Sequence, residues 1–123
     1  MRRVIDDFLP RSYFNEIKQM IENPEFRWNF SSILPSGWEG QTEKDWYFVK
    51  KICAQNEHYE DALGYWQTIR PRFYFFEEKL NFITKHIISV NVNSMMNQNR
   101  KRAHGWHNDC PDKHYVALFY INT

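Results

Sequence analysis

His107 and Asp109 stand two residues apart in the run Gly105-Trp106-His107-Asn108-Asp109. In an extended run, residues i and i+2 project from one face, so an imidazole and a carboxylate emerge side by side. They supply two of the three donors of a two-histidine, one-carboxylate iron(II) site, whose other positions stay open for exchangeable ligands. A bare His-x-Asp is common as plain polar surface, so the surrounding segments must carry the argument. His104, Cys110 and His114 lie close by and leave a rival open, a structural zinc site of nitrogen, oxygen and sulfur ligands. Strand geometry argues against zinc. A continued strand turns Cys110 away from His107 and Asp109, and Pro111 separates His114 from the group.

These donors need elements to hold them. Residues 4–9 read as a short strand, and Pro10 suits the start of a helix because its missing N–H is not needed there. Phe14, Ile17, Met20 and Ile21 then recur at helical spacing, with Arg11, Asn15, Glu16, Lys18 and Glu22 on the wet face and Asn23-Pro24 as the stop. Residues 29–42, rich in Ser, Pro and Gly, read as a long loop that Trp28 and Trp38 pin to the core. Trp46, Phe48, Val49 and Ile52 favour a strand over residues 45–53. Phe73, Phe76, Leu80 and Ile83 mark a second amphipathic helix after Arg70-Pro71, with Glu77, Glu78, Lys79 and Asn81 on its polar side. Ile88, Val90 and Val92 alternate with Ser89, Asn91 and Asn93, a half-buried strand over residues 86–93. Residues 95–102 should turn the chain, and residues 105–109 and 115–121 give two further strands. Val116, Leu118 and Tyr120 alternate with Tyr115, Ala117, Phe119 and Ile121, so both faces of the last strand are apolar and ask for cover.

Helices early and strands late predict a single α+β domain over residues 1–123, with helices packed on one side of a sandwich or jelly roll. Aromatic residues make up 18% of the chain, enough rings to fill a core and too many for a disordered chain. A net charge of +1 produces no field that would gather nucleic acid or an anionic membrane, so neither is expected as a partner. Arg100-Lys101-Arg102 reads as a solvated turn, and His58 and His86 as surface or boundary residues. The rings of residues 73–76 read as core and rim, because no basic residues are interleaved as a base-stacking platform requires. Cys53 reads as a small buried hydrophobe, and two cysteines without paired spacing fit a reducing, cytoplasmic setting. Met1-Arg2-Arg3 is not followed by an apolar run, and no stretch approaches the roughly 20 apolar residues of a membrane span.

The order of the late segments is specific. A strand containing Ser89-Val90-Asn91-Val92-Asn93 is followed by a polar turn, the aromatic-His-x-Asp run Trp106-His107-Asn108-Asp109, and a strand ending Tyr120-Ile121-Asn122. This order resembles the iron(II)- and 2-oxoglutarate-dependent oxygenases, in particular the prolyl-4-hydroxylase-like proteins often encoded by marine phages and bacteria. The opening Ile5-Asp6-Asp7-Phe8-Leu9-Pro10, with Phe14 and Ile17, is similar to the first strand and helix of that family. The resemblance covers most of the chain and is strongest over residues 89–123.

The resemblance implies a partial double-stranded β-helix, jelly-roll or cupin-like, with N-terminal helices packed on the sheet. It implies His107 and Asp109 as the first two iron ligands, and Tyr120, Asn91 and Asn93 as cosubstrate-pocket residues. The implied cofactors are iron(II), 2-oxoglutarate as cosubstrate and optionally ascorbate. The implied activity is hydroxylation of an unactivated C–H bond, in a prolyl or other protein side chain, coupled to decarboxylation of 2-oxoglutarate to succinate. The chain departs from the family in one respect. The family's third ligand is a histidine well downstream, followed by an Arg or Lys for the distal carboxylate, whereas fourteen residues follow Asp109 and His114 comes too early. The expectation is therefore a protein that continues past Thr123, with the 123-residue chain inactive by itself and prone to self-association through its uncovered sheet. Two other readings stay open, a non-catalytic binding domain of the same descent and a zinc-stabilised structural module.

Overall fold

A computed structural model of the protein describes residues 3–33, 45–95 and 112–121. The chain divides into two compact units, Met1–Arg27 with Lys51–Val92, and Trp28–Lys50 with Asn93–Thr123. The described elements mix helices with an open antiparallel sheet, so the α+β class expected from the sequence holds.

In the first unit, helix α1 spans Arg11–Glu22. Its apolar stripe does what the spacing predicts. Ile17 is buried, Phe14, Met20 and Ile21 are half-buried, and Asn15, Glu16 and Glu22 face water. Pro10 lies just outside the helix, where its carbonyl accepts the amides of Tyr13 and Phe14. At the other end Asn23 turns to an extended backbone ahead of Pro24, as a residue before proline prefers, and its side chain accepts the Glu25 amide at 2.8 Å. Residues 4–9 are not the expected strand. They contain a turn at Asp6 and Asp7, with Asp7 at φ 50°, and aspartates favour turns and left-handed backbone over sheet.

Strand β2, Asp45–Ala54, runs from the second unit into the first, close to the expected bounds. Gln55 and Asn56 follow at φ 49° and 67°, the two positive values of a two-residue hairpin turn whose twist suits the flanking strands. The turn leads into strand β3, Glu57–His58, paired antiparallel as Cys53 with His58 and Ala54 with Glu57. A 3-10 turn at Glu60–Ala62 opens helix α2, Leu63–Ile69, and a second one at Arg70–Arg72 opens helix α3, Phe73–Leu80. Only α3 in this stretch was expected. It ends at Asn81 in the left-handed conformation, so Ile83 falls outside the helix and is 79% exposed instead of completing the stripe.

The core of this unit comprises Leu9, Ile17, Phe26, Ile52, Cys53, Ala62 and Ile87. Rings seal its edges: Phe8 lies 4.6 Å from Phe76, Phe26 4.8 Å from Tyr65, and Trp66 meets Phe73 edge-on. Ile52 is fully buried, worth roughly 2–3 kcal/mol of apolar transfer. Strand β4, Ser89–Met95, pairs with β2 and shows the expected alternation: Val90 and Val92 are half-buried, Asn91 and Asn93 exposed.

In the second unit, strand β1, Asn29–Ile33, occupies the first part of the expected loop. It pairs antiparallel with β2 from Asn29 opposite Val49 to Ile33 opposite Asp45. Its partner explains it. The cross-strand pair Phe30 and Phe48, with ring centroids 5.5 Å apart, supplies contact that the serines lack. Residues 113–121 are described and form no strand, against expectation. A strand exists only by its ladder, and no described strand pairs with this segment, so alternation alone does not make one. Tyr115, Leu118 and Tyr120 are exposed. The expected turn at residues 96–102 and strand at residues 105–109 lie outside the described residues, as does Trp38.

Candidate functional site

The two expected iron ligands, His107 and Asp109, lie outside the described residues, together with His104, Cys110 and Arg100-Lys101-Arg102. Among the described residues there is no group of three or more His, Cys, Asp or Glu side chains that could hold a metal ion.

The expected cosubstrate residues fall on two elements. Asn91 and Asn93 sit two apart on β4 and share its exposed face, opposite Val90 and Val92. Their carboxamides are thus available to a ligand from that face. Tyr120 belongs to the segment without strand pairing and is 77% exposed. In the same segment His114 is half-buried and donates its Nδ1–H to the Asp112 carbonyl at 2.8 Å. That bond fixes the tautomer and leaves Nε2 as a lone-pair donor.

Three further arrangements have chemistry of their own. His86, read from sequence as an ordinary boundary residue, is exposed but tied at both nitrogens. Nε2 donates to Gln55 Oε1 at 2.6 Å, and Nδ1 accepts from Asn56 Nδ2 at 2.7 Å. Arg72 donates to Glu16 Oε2 at 2.5 Å, and its guanidinium lies 4.3 Å from the centre of the Tyr13 ring, while its buried Nε has no hydrogen-bond partner. Both groups join residues 30 or more positions apart. No local pattern encodes such distant pairs. The only sequence signal was the composition of each partner, an Asn in a turn and an Arg beside a helix start.

Cys53, read as a buried hydrophobe, is fully buried. Burial pushes its thiol up from the ordinary cysteine value, with the Arg70 charge and a backbone hydrogen bond from Asn56 partly opposing. A nucleophilic cysteine needs the opposite. His58 donates its Nδ1–H to the neighbouring Tyr59 carbonyl at 2.9 Å and faces solvent.

No helix among the described residues is long and apolar enough to cross a membrane. No protein-family model, curated protein or solved structure matches the chain.

Proposed function

We propose that this chain is part of an iron(II)- and 2-oxoglutarate-dependent oxygenase of the prolyl-4-hydroxylase-like type, acting on a prolyl or other protein side chain. The observation that carries the reading is the ordered run from Asn91 and Asn93 through Trp106-His107-Asn108-Asp109 to Tyr120-Ile121-Asn122. Support comes from β4, a strand with the expected alternation, and from an open antiparallel sheet with helices, the coarse architecture that a partial double-stranded β-helix requires.

Bound iron(II) with 2-oxoglutarate supplies oxygen activation coupled to release of succinate and carbon dioxide. His107 and Asp109 would supply a neutral nitrogen and a charged oxygen, a donor set suited to a divalent first-row metal. Asn91 and Asn93 offer hydrogen bonds to the carboxylates of the cosubstrate. A third histidine and a cation for the distal carboxylate do not follow Asp109 at family spacing within these 123 residues.

Binding can be mapped before any turnover is sought. Manganese(II), a paramagnetic stand-in for iron(II), is added to isotope-labelled protein and the broadening of amide signals recorded. The proposal expects broadening centred on residues 107–109 and its loss in His107→Ala and Asp109→Ala. Broadening centred instead on the surface carboxylates, and unaltered in both variants, would overturn it.

A second reading, a zinc-stabilised module, has one observation in its favour. His114 donates Nδ1–H to a backbone carbonyl, the contact that metal-bound histidines commonly make through the nitrogen not on the metal. Zinc content separates the two. Stoichiometric zinc lost on Cys110→Ser or His114→Ala supports the module and counts against the oxygenase.

A further inference from the structure

Within β4 the residues Val90-Asn91-Val92-Asn93 repeat every two positions. Alternation normally protects a half-buried strand against slipping by one residue, because such a slip exchanges its two faces. It gives little protection against a slip by two, which here exchanges Val90 with Val92 and Asn91 with Asn93. The pattern that makes β4 a strand therefore specifies its register on β2 only weakly, and residues outside the repeat help to set it.

We infer that Gln55, Asn56 and His86 form a register clamp that fixes how β4 starts against β2. Gln55 and Asn56 form the hairpin turn after β2, both at positive φ, and His86 lies three residues before β4 begins. The Gln55 amide donates to the Ile88 carbonyl and the Asn56 amide to the Ile87 carbonyl, each at 2.9 Å. The Ile87 amide donates back to Asn56 Oδ1 at 2.7 Å. With its oxygen so committed, Asn56 presents Nδ2 to His86 Nδ1, which must accept, and Nε2–H is left to donate to Gln55 Oε1. The imidazole is thus held as one tautomer between two carboxamides. A two-residue slip would place Ser89 and Val90 where Ile87 and Ile88 stand. Neither an imidazole nor the buried Ile87 would then meet the turn.

The clamp decides which residues of the repeat lie opposite which positions of β2, and with that where along the sheet Asn91 emerges. It does not depend on the oxygenase reading, since register is measured without metal or cosubstrate.

The test is the pattern of cross-strand contacts between β2 and β4, read by NMR in the 123-residue chain and in Asn56→Ala, His86→Ala and the double variant. One register, with the Gln55 amide facing Ile88, is expected for the unaltered chain. Each alanine removes side-chain bonds whose typical net worth corresponds to about a tenfold change in an equilibrium. A second set of β4 signals with contacts shifted by two residues is therefore expected to grow from the single variants to the double. Asn56→Asp, which keeps the acceptor for the Ile87 amide, should stay mainly in the original register. A single unshifted register in the double variant overturns the inference. Unfolding of both single alanine variants without any shifted register overturns it equally, because the trio would then support the fold and not the alignment.

Discussion

At Arg72 two contacts, the ion pair to Glu16 and the face of Tyr13, meet in a guanidinium whose buried Nε has no hydrogen-bond partner. Glu16 is half exposed, so the ion pair is screened and contributes under about 1 kcal/mol, while the ring contact and the packed stem contribute a similar amount again. Arg72→Ala should lower unfolding stability by about 2 kcal/mol in urea titrations. Arg72→Met should cost less, because it keeps the stem and removes the unpartnered nitrogen. A larger loss for Met than for Ala would contradict this account. Cys53 gives a pH signature. Its thiol is raised in the folded state, so above the ordinary thiol value, about 8.5, the unfolded chain releases a proton that the folded chain keeps. Folding stability should therefore fall as pH rises through that range. Cys53→Ala should be less stable overall but lose this alkaline slope, as urea midpoints measured from pH 7 to 10 would show.

The elements differ in how far their own residues announce them. α1, β2 and β4 were legible because each carries its signal inside itself: Phe14, Ile17, Met20 and Ile21 at helical spacing, the aromatic and β-branched residues Trp46, Phe48, Val49 and Ile52, and Val90 and Val92 in alternation. β1 was not, since Asn29-Phe30-Ser31-Ser32-Ile33 becomes a strand through the residues facing it on β2. The reverse error occurred at residues 115–121, where alternation is strong and no described strand pairs with it. α2 was missed because seven residues, the second of them a glycine, give too short a period to read. Of the candidate site, residues 107 and 109 form a motif in the sequence and lie outside the described residues, while the contacts of His86 and Arg72 depend on chain reversals that no local pattern specifies. On β4 the alternation makes a graded prediction. Val92→Asp should destabilise by about 1–3 kcal/mol through placing a carboxylate on the half-buried face, and Asn91→Asp by less than about 0.5. Equal losses in circular dichroism melts would mean that β4 is not buried on one side.

For the whole molecule, the segment around Leu118 and Tyr120 exposes apolar surface that a double-stranded β-helix would cover with further strands. The proposal therefore expects the 123-residue chain to bind a hydrophobic dye or to self-associate in sedimentation experiments. A monodisperse monomer that binds no dye shifts the weight toward a non-catalytic domain. The central claim concerns chemistry, and succinate release tests it most directly. Protein carrying whatever its gene encodes after Thr123 is incubated in air with iron(II) and 2-oxoglutarate, beside its His107→Ala and Asp109→Ala variants and the 123-residue chain. The account predicts iron-dependent succinate from the first, and background levels from both variants and from the 123-residue chain alone. Succinate at background in the unaltered protein, or undiminished by His107→Ala, would contradict it.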